Sequence, residues 1–130
     1  MEKLRIVVVE DEYYVRKGII QSFDWEKVDC EIVGEAANGK AGIEVVEETK
    51  PDLVIVDVEM PVMDGLQAAR AIRESSHPQA KEIPIIAQTA NAFAEDVQRT
   101  RRAGMNDHIS KPLNEAALLR VLAQYYRPQQ

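Results

Sequence analysis

The sequence predicts an α/β fold: a doubly wound, five-stranded parallel sheet in the order 2-1-3-4-5, flanked by five helices. Short runs rich in Val and Ile alternate with segments of helical spacing, the pattern of a parallel sheet whose crossovers are helices. No Ser/Gly-rich linker or internal repeat interrupts the alternation. The 130 residues, 45% of them hydrophobic, suffice for one domain with a real core and leave no room for two.

The first strand is expected at 4–9, followed by a helix that carries Val15, Ile19 and Phe23 on one face. Trp25 is expected to anchor the turn after this helix, and Cys30 to open the second strand, 31–36, as a small apolar residue. Asn38 then stands where an N-cap is needed, before a helix with Ile43 and Val46 inward that Pro51 stops. Leu53-Val54-Ile55-Val56, bounded by Pro51 and Pro61, reads as a third strand buried on both faces. Asp64 caps the next helix, with Gln67 reaching back to the Asp64 turn and Leu66, Ala69 and Ile72 inward. His77 falls in a polar loop before the fourth strand, 83–88. Asn91 caps a fourth helix at about 94–103, which Gly104 stops. Its one large apolar residue is Val97, so it should be the least firmly anchored helix. A short fifth strand at 108–110 precedes the last helix, capped by Asn114, with Leu118, Val121, Leu122 and Tyr125 inward.

Charge and composition exclude several functions. Against 16 basic residues stand 22 acidic ones, a net charge of −6 that argues against direct nucleic acid binding and against anionic membranes. Arg99, Arg101 and Arg102 share a helix begun by Glu95 and Asp96 and read as solvated surface. The single cysteine cannot form an internal disulfide, which fits a reducing compartment. No apolar run approaches the ~20 residues that span a membrane, and the amino terminus lacks a signal-peptide pattern. The chain reads as soluble and cytoplasmic.

Asp57 stands where the third strand runs out, at the edge where such sheets bind ligands. Asp is also a common residue at strand exits. The first strand ends in Glu10-Asp11-Glu12, and right-handed crossovers place it beside the third. Adjacent strands lie ~4.8 Å apart, so these carboxylates can approach within about 5 Å. At an effective dielectric of about 20, each pair at that distance repels by roughly 3 kcal/mol. A raised pKa, a basic side chain or a bound cation would relieve this, and the sequence offers the last two. An incomplete shell of hard oxygens suits Mg²⁺ on Asp11, Asp57 and Glu10, largely through water. The alternative is Lys111, from the end of the fifth strand, salt-bridged to these acids without a metal. Thr89 ends the fourth strand with a hydroxyl on the same edge, although threonine is also an ordinary strand residue. Carboxylate, cation ligands, hydroxyl and ammonium together would suit a tetrahedral phosphoryl group.

Over nearly its whole length the chain resembles the receiver domain of two-component response regulators, a flavodoxin-like fold. Val9-Glu10-Asp11-Glu12, Val56-Asp57 with Met60-Pro61-Val62-Met63-Asp64-Gly65, Thr89-Ala90 and Ser110-Lys111-Pro112-Leu113 carry the likeness by order and spacing. The first half, with Asp24-Trp25-Glu26-Lys27, is similar to receivers of DNA-binding regulators. The second half, from Ile83-Pro84 through Gly104-Met105-Asn106-Asp107-His108, is similar to receivers of hybrid sensor kinases. The resemblance implies a receiver domain over 1–126 and a short polar tail at 127–130. It implies that Asp57 accepts a phosphoryl group from a histidine kinase or histidine phosphotransfer protein, without turnover of an external substrate. Glu10, Asp11, Asp57 and the backbone carbonyl of Glu59 would organise Mg²⁺, while Lys111 and Thr89 would hold phosphoryl oxygens. Thr89 and residue 108 would form the switch. Relatives usually carry Tyr or Phe at the second position, and His108 there implies a weaker or a pH-sensitive switch, or else a neutral ring doing the same packing. Glu59 and Asn91 occupy positions that influence acyl phosphate lifetime in the family, and Lys111-Pro112 resembles its cis peptide. No output domain follows the last helix, so the chain reads as a stand-alone receiver or a piece of a longer protein. The resemblance allows a homodimer or an attached output domain.

Three other readings fit less well. A haloacid-dehalogenase-type phosphatase would carry its nucleophile near the start of the chain and need a cap. A flavodoxin-like cofactor carrier would need a hydroxyl- or glycine-rich loop where Glu10-Asp11-Glu12 stands. An interaction module that no longer takes phosphate would have no use for all these side chains.

Overall fold

Side chains alternate across a strand, so a run such as Ile6-Val7-Val8-Val9 must be covered on both faces to keep apolar surface from water. The computed structural model, which describes residues 3–58, 64–75, 80–89, 94–110 and 115–125, meets that demand with two helical layers. Among these residues β1 (Leu4–Val9), β2 (Cys30–Ala36), β3 (Leu53–Asp57), β4 (Ile85–Thr89) and β5 (Asp107–Ser110) form one parallel sheet in the order β2-β1-β3-β4-β5. Helices α1 (Tyr13–Ser22), α2 (Gly39–Thr49), α3 (Gly65–Arg73), α4 (Ala94–Arg102) and α5 (Glu115–Tyr125) alternate with the strands. Strand order and layering are those expected from the sequence.

One core joins Val7, Val9, Val54, Val56, Ile85 and Ala87 of the sheet to Val46 of α2 and Ala68, Ala69 and Ile72 of α3. The other joins Ile6, Val8, Ile55, Ile86 and Ile109 to Ile19 of α1 and Leu118, Val121 and Leu122 of α5. Each fully buried Val, Ile or Leu contributes roughly 1.5–3 kcal/mol, so the two layers fix the strand ends that carry polar residues.

Asn38 accepts a hydrogen bond from the Ala41 N–H at 2.8 Å. Asp64 and Gln67 close a reciprocal capping box at 2.8 and 3.1 Å. Gly104, expected to stop the fourth helix, lies just past its end with φ +95°, in the left-handed region. Trp25 is buried and donates its indole N–H to the carbonyls of Ile19 and Ile20. On α4, Arg99, Arg101 and Arg102 are exposed, Val97 is half-buried, and Thr100 is buried.

Several boundaries differ from the expected ones. The fourth strand begins at Ile85 rather than Ile83, because Pro84 has no N–H to add to the ladder and only its carbonyl pairs, with the Val54 N–H. The third strand includes Asp57, which lies opposite Gln88. The second and fifth strands each begin one residue early, at Cys30 and Asp107. A 3₁₀ turn over Glu26–Val28 was not foreseen. Helix α2 ends on Lys50 in the left-handed region, φ 51°, before Pro51 can act. The expected caps Asn91 and Asn114, together with Pro61, His77, the Lys111-Pro112 bond and the tail 127–130, lie outside the described residues.

Candidate functional site

Val9 lies opposite Val56 in the β1–β3 pairing, so the next residues, Glu10 and Asp57, leave the sheet side by side. Both are almost wholly buried, at 0% and 1% exposure, and Asp11 is half-buried at the rim. One carboxylate oxygen from each of the three lies within 4.8 Å of the other two. Burial, together with the adjoining Asp57 and Asp11 carboxyls, pushes Glu10 up to about 8, while the Glu12 N–H that it accepts at 3.2 Å pulls the other way. Three hard oxygen donors gathered this closely fit a divalent cation with an incomplete protein shell, as Mg²⁺ prefers.

The backbone around Asp57 is held from two sides. The Val58 N–H continues the β3–β4 ladder to the Gln88 carbonyl at 3.0 Å, and the Gly65 N–H returns to the Val58 carbonyl at 3.0 Å. A Cβ on Gly65 would collide with the Asp57 carbonyl oxygen and Val58 Cα, so only glycine lets α3 start against this strand end. Thr89, 4% exposed, ends β4 one residue beyond the partner of Asp57 and opposite Ser110. The sheet thus brings Glu10, Asp11, Asp57 and Thr89 to one edge. Lys111 and Glu59 lie outside the described residues.

His108 pairs with Ala87 on β5 and lines a cavity of about 100 Å³ with Val97, Thr100, Arg101, Asn106 and Gln124. Its Nδ1 lies 3.9 Å from Asp107 Oδ1, and Arg120 of α5 reaches both Asp107 and the His108 carbonyl at 3.2 Å.

A second polar cluster adjoins the acidic pocket and was not foreseen. Arg16 of α1 donates from Nε to Glu35 Oε1 and from Nη1 to the Glu10 carbonyl, both at 2.8 Å. Lys17 takes the other Glu35 oxygen at 2.9 Å. This cluster exists because the β1–β2 register slips by one residue between Ile6 and Val7. Without the slip Glu35 would pair with Val9, whose side chain packs toward α2. With it, Glu35 pairs with Val8, on the α1 face. The one hint in the sequence is Gly34, a glycine inside the second strand next to the skipped Val33, which marks a bulge without fixing which partner each residue takes.

Residues 6–123 match the family model of the response regulator receiver domain. The chain belongs to that family. It is a phosphoacceptor signalling domain of two-component systems. The receiver is 34% identical over 126 residues to a protein-glutamate methylesterase/protein-glutamine glutaminase of Nocardioides sp., covering 95% of this chain and 33% of the relative. Across this and three other relatives the chain spans between 32% and 53% of their length. Among solved structures, the receiver domain of sensor histidine kinase PA1611 from Pseudomonas aeruginosa superposes with a TM-score of 0.79 at 32% identity, over 95% of this chain and 97% of that one. That structure holds a magnesium ion in its active site cleft. The Vibrio cholerae chemotaxis protein CheY4 superposes with a TM-score of 0.83 at 27% identity, over 95% of this chain and 98% of that one. Among the described residues no helix is long and apolar enough to cross a membrane.

Proposed function

We propose that Asp57 is the phosphoacceptor of this receiver, taking a phosphoryl group from phosphohistidine on a histidine kinase or histidine phosphotransfer protein in the cytoplasm. A carboxylate oxygen of Asp57 attacks phosphorus, the P–N bond to the donor breaks, and its electron pair stays on the imidazole nitrogen. The observation that carries this reading is the three-carboxylate cluster at the ends of β1 and β3, Glu10 and Asp57 buried and Asp11 at the rim, with oxygens within 4.8 Å. Glu10, Asp11, Asp57 and the Glu59 carbonyl would hold Mg²⁺, which when bound supplies positive charge to the carboxylates and to the transferring oxygens.

The protein's own part is positioning. The strand pairing aims Asp57, Thr89 offers its hydroxyl to a phosphoryl oxygen, and Lys111 offers an ammonium to another. The same residues serve hydrolysis of the acyl phosphate, so the receiver assists its own phosphorylation and dephosphorylation and turns over no external substrate. A phosphoryl group adds about −1.5 to −2 charges near neutral pH, which draws Thr89 and Lys111 inward. That movement passes to β5, where His108 takes the place of the switch aromatic, and to α4.

Intact-mass measurement after incubation with a small phosphodonor tests the assignment. One phosphoryl group per chain is expected with Mg²⁺ and none after chelation. Asp57→Asn is expected to abolish the gain, and unchanged incorporation in that variant would refute Asp57 as the acceptor.

A further inference from the structure

We infer that Arg16 is a positioning residue for the acidic pocket, holding the Glu10 backbone so that the Glu10 and Asp11 carboxylates stand toward Asp57 as a divalent cation requires. The inference rests on the Mg²⁺ reading of that pocket. Among the hydrogen bonds that hold Glu10, its N–H donates to the Ala36 carbonyl at 3.0 Å, its Oε2 accepts from the Glu12 N–H at 3.2 Å, and its carbonyl accepts from Arg16 at 2.8 Å. The last of these sets the plane of the Glu10–Asp11 peptide and hence the direction in which Asp11 leaves β1. A peptide free to rotate there would swing one of the three ligands away.

The guanidinium is itself braced. Its Nε is bound to Glu35, whose other oxygen is taken by Lys17, and the Arg16 side chain is only 12% exposed. The fork reaches in two directions at once, toward β2 and toward the β1–α1 junction, which a single ammonium cannot reproduce. Partners of this kind, one step removed from a metal's ligands, tune affinity strongly.

Mg²⁺ affinity by titration calorimetry and the Mg²⁺ dependence of phosphorylation by a small phosphodonor test the inference on the intact chain. In Arg16→Ala both the dissociation constant and the half-saturating Mg²⁺ concentration are expected to rise about tenfold, with the rate at saturating Mg²⁺ little changed. Arg16→Lys, which keeps the charge and loses the fork, is expected to recover only part of this. Lys3→Ala, which removes a remote surface charge paired with Glu26, is expected to match the wild type. A melting temperature that falls while both Mg²⁺ quantities stay within about twofold of wild type, less than neighbours of metal ligands usually cost, would mean Arg16 is only structural and would overturn the inference. Full recovery in Arg16→Lys would overturn it as well. Should Arg16→Ala fail to fold, Glu35→Ala decides: it unseats the guanidinium and is expected to weaken both quantities by at least about threefold. No Mg²⁺ binding by the wild type would instead refute the metal reading itself.

Discussion

Glu35 shows how one side chain can carry a measurable pH dependence. The Lys17 hydrogen bond holds its carboxyl below the usual carboxylate range, burial works against this, and Arg16 adds to the lowering. The folded chain therefore holds this proton less tightly than the unfolded one. The resulting stability is fully present above the unfolded value, near about 4.3, and is lost as pH falls through the lower folded value. Thermal melts followed by circular dichroism should show Glu35→Gln less stable than wild type at about pH 7, with the gap closing on acidification below about pH 4. A gap that is constant with pH would mean that the pair contributes through packing instead. The acidic cluster could be read from the order of residues, because Glu10, Asp11 and Asp57 each follow an apolar run. Arg16 and Glu35 could not, because their meeting depends on the slipped register of β1 on β2.

At the level of elements, the last turn of α3 is tied to the loops at the opposite edge of the sheet by Arg73. Its guanidinium donates to the carbonyls of Ala80, Ile83 and Gly104 and to Asn106 Oδ1, at 2.6 to 3.1 Å. Asn106 also accepts from the Ile85 N–H at 2.9 Å, and its carbonyl accepts from Tyr125 of α5 at 3.0 Å. One side chain thus joins α3, the start of β4, the α4–β5 connection and α5. Burial alone lowers the pKa of Arg73, so carbonyl dipoles rather than a carboxylate hold its charge. Removing it leaves several half-buried acceptors unpaired, and Arg73→Ala should lose at least about 2–3 kcal/mol in urea unfolding. Arg73→Lys should recover little, since one ammonium cannot reach all four acceptors. The elements that Arg73 joins were foreseen because period-2 and period-3.6 patterns survive in a single sequence. Their ends moved where backbone chemistry outweighed pattern, as at Pro84, or where a lysine took the left-handed cap that glycine usually fills, as at Lys50.

For the whole molecule, the central strands and helix α4 are unequally held. β1 and β3 are interior strands buried on both faces, so the acidic pocket rests on the least yielding part of the sheet. Among its described side chains helix α4 buries Thr100 and half-buries Val97, with Arg99, Arg101 and Arg102 exposed. Beside it lies the cavity of about 100 Å³ under His108, which gives the ring and α4 room to repack. Local opening costs least where buried apolar contacts are fewest, so a charge added at Asp57 should be felt at α4 before it is felt at β1. Hydrogen–deuterium exchange with and without phosphodonor and Mg²⁺ should therefore change most in α4 and the ends of β4 and β5. The amides of β1 and β3 should stay protected in both states. Asp57→Asn should erase the difference between the two conditions. If the change were confined to β2 and α2, the signal would leave by the opposite edge of the sheet, and the cavity under His108 would have no part in it.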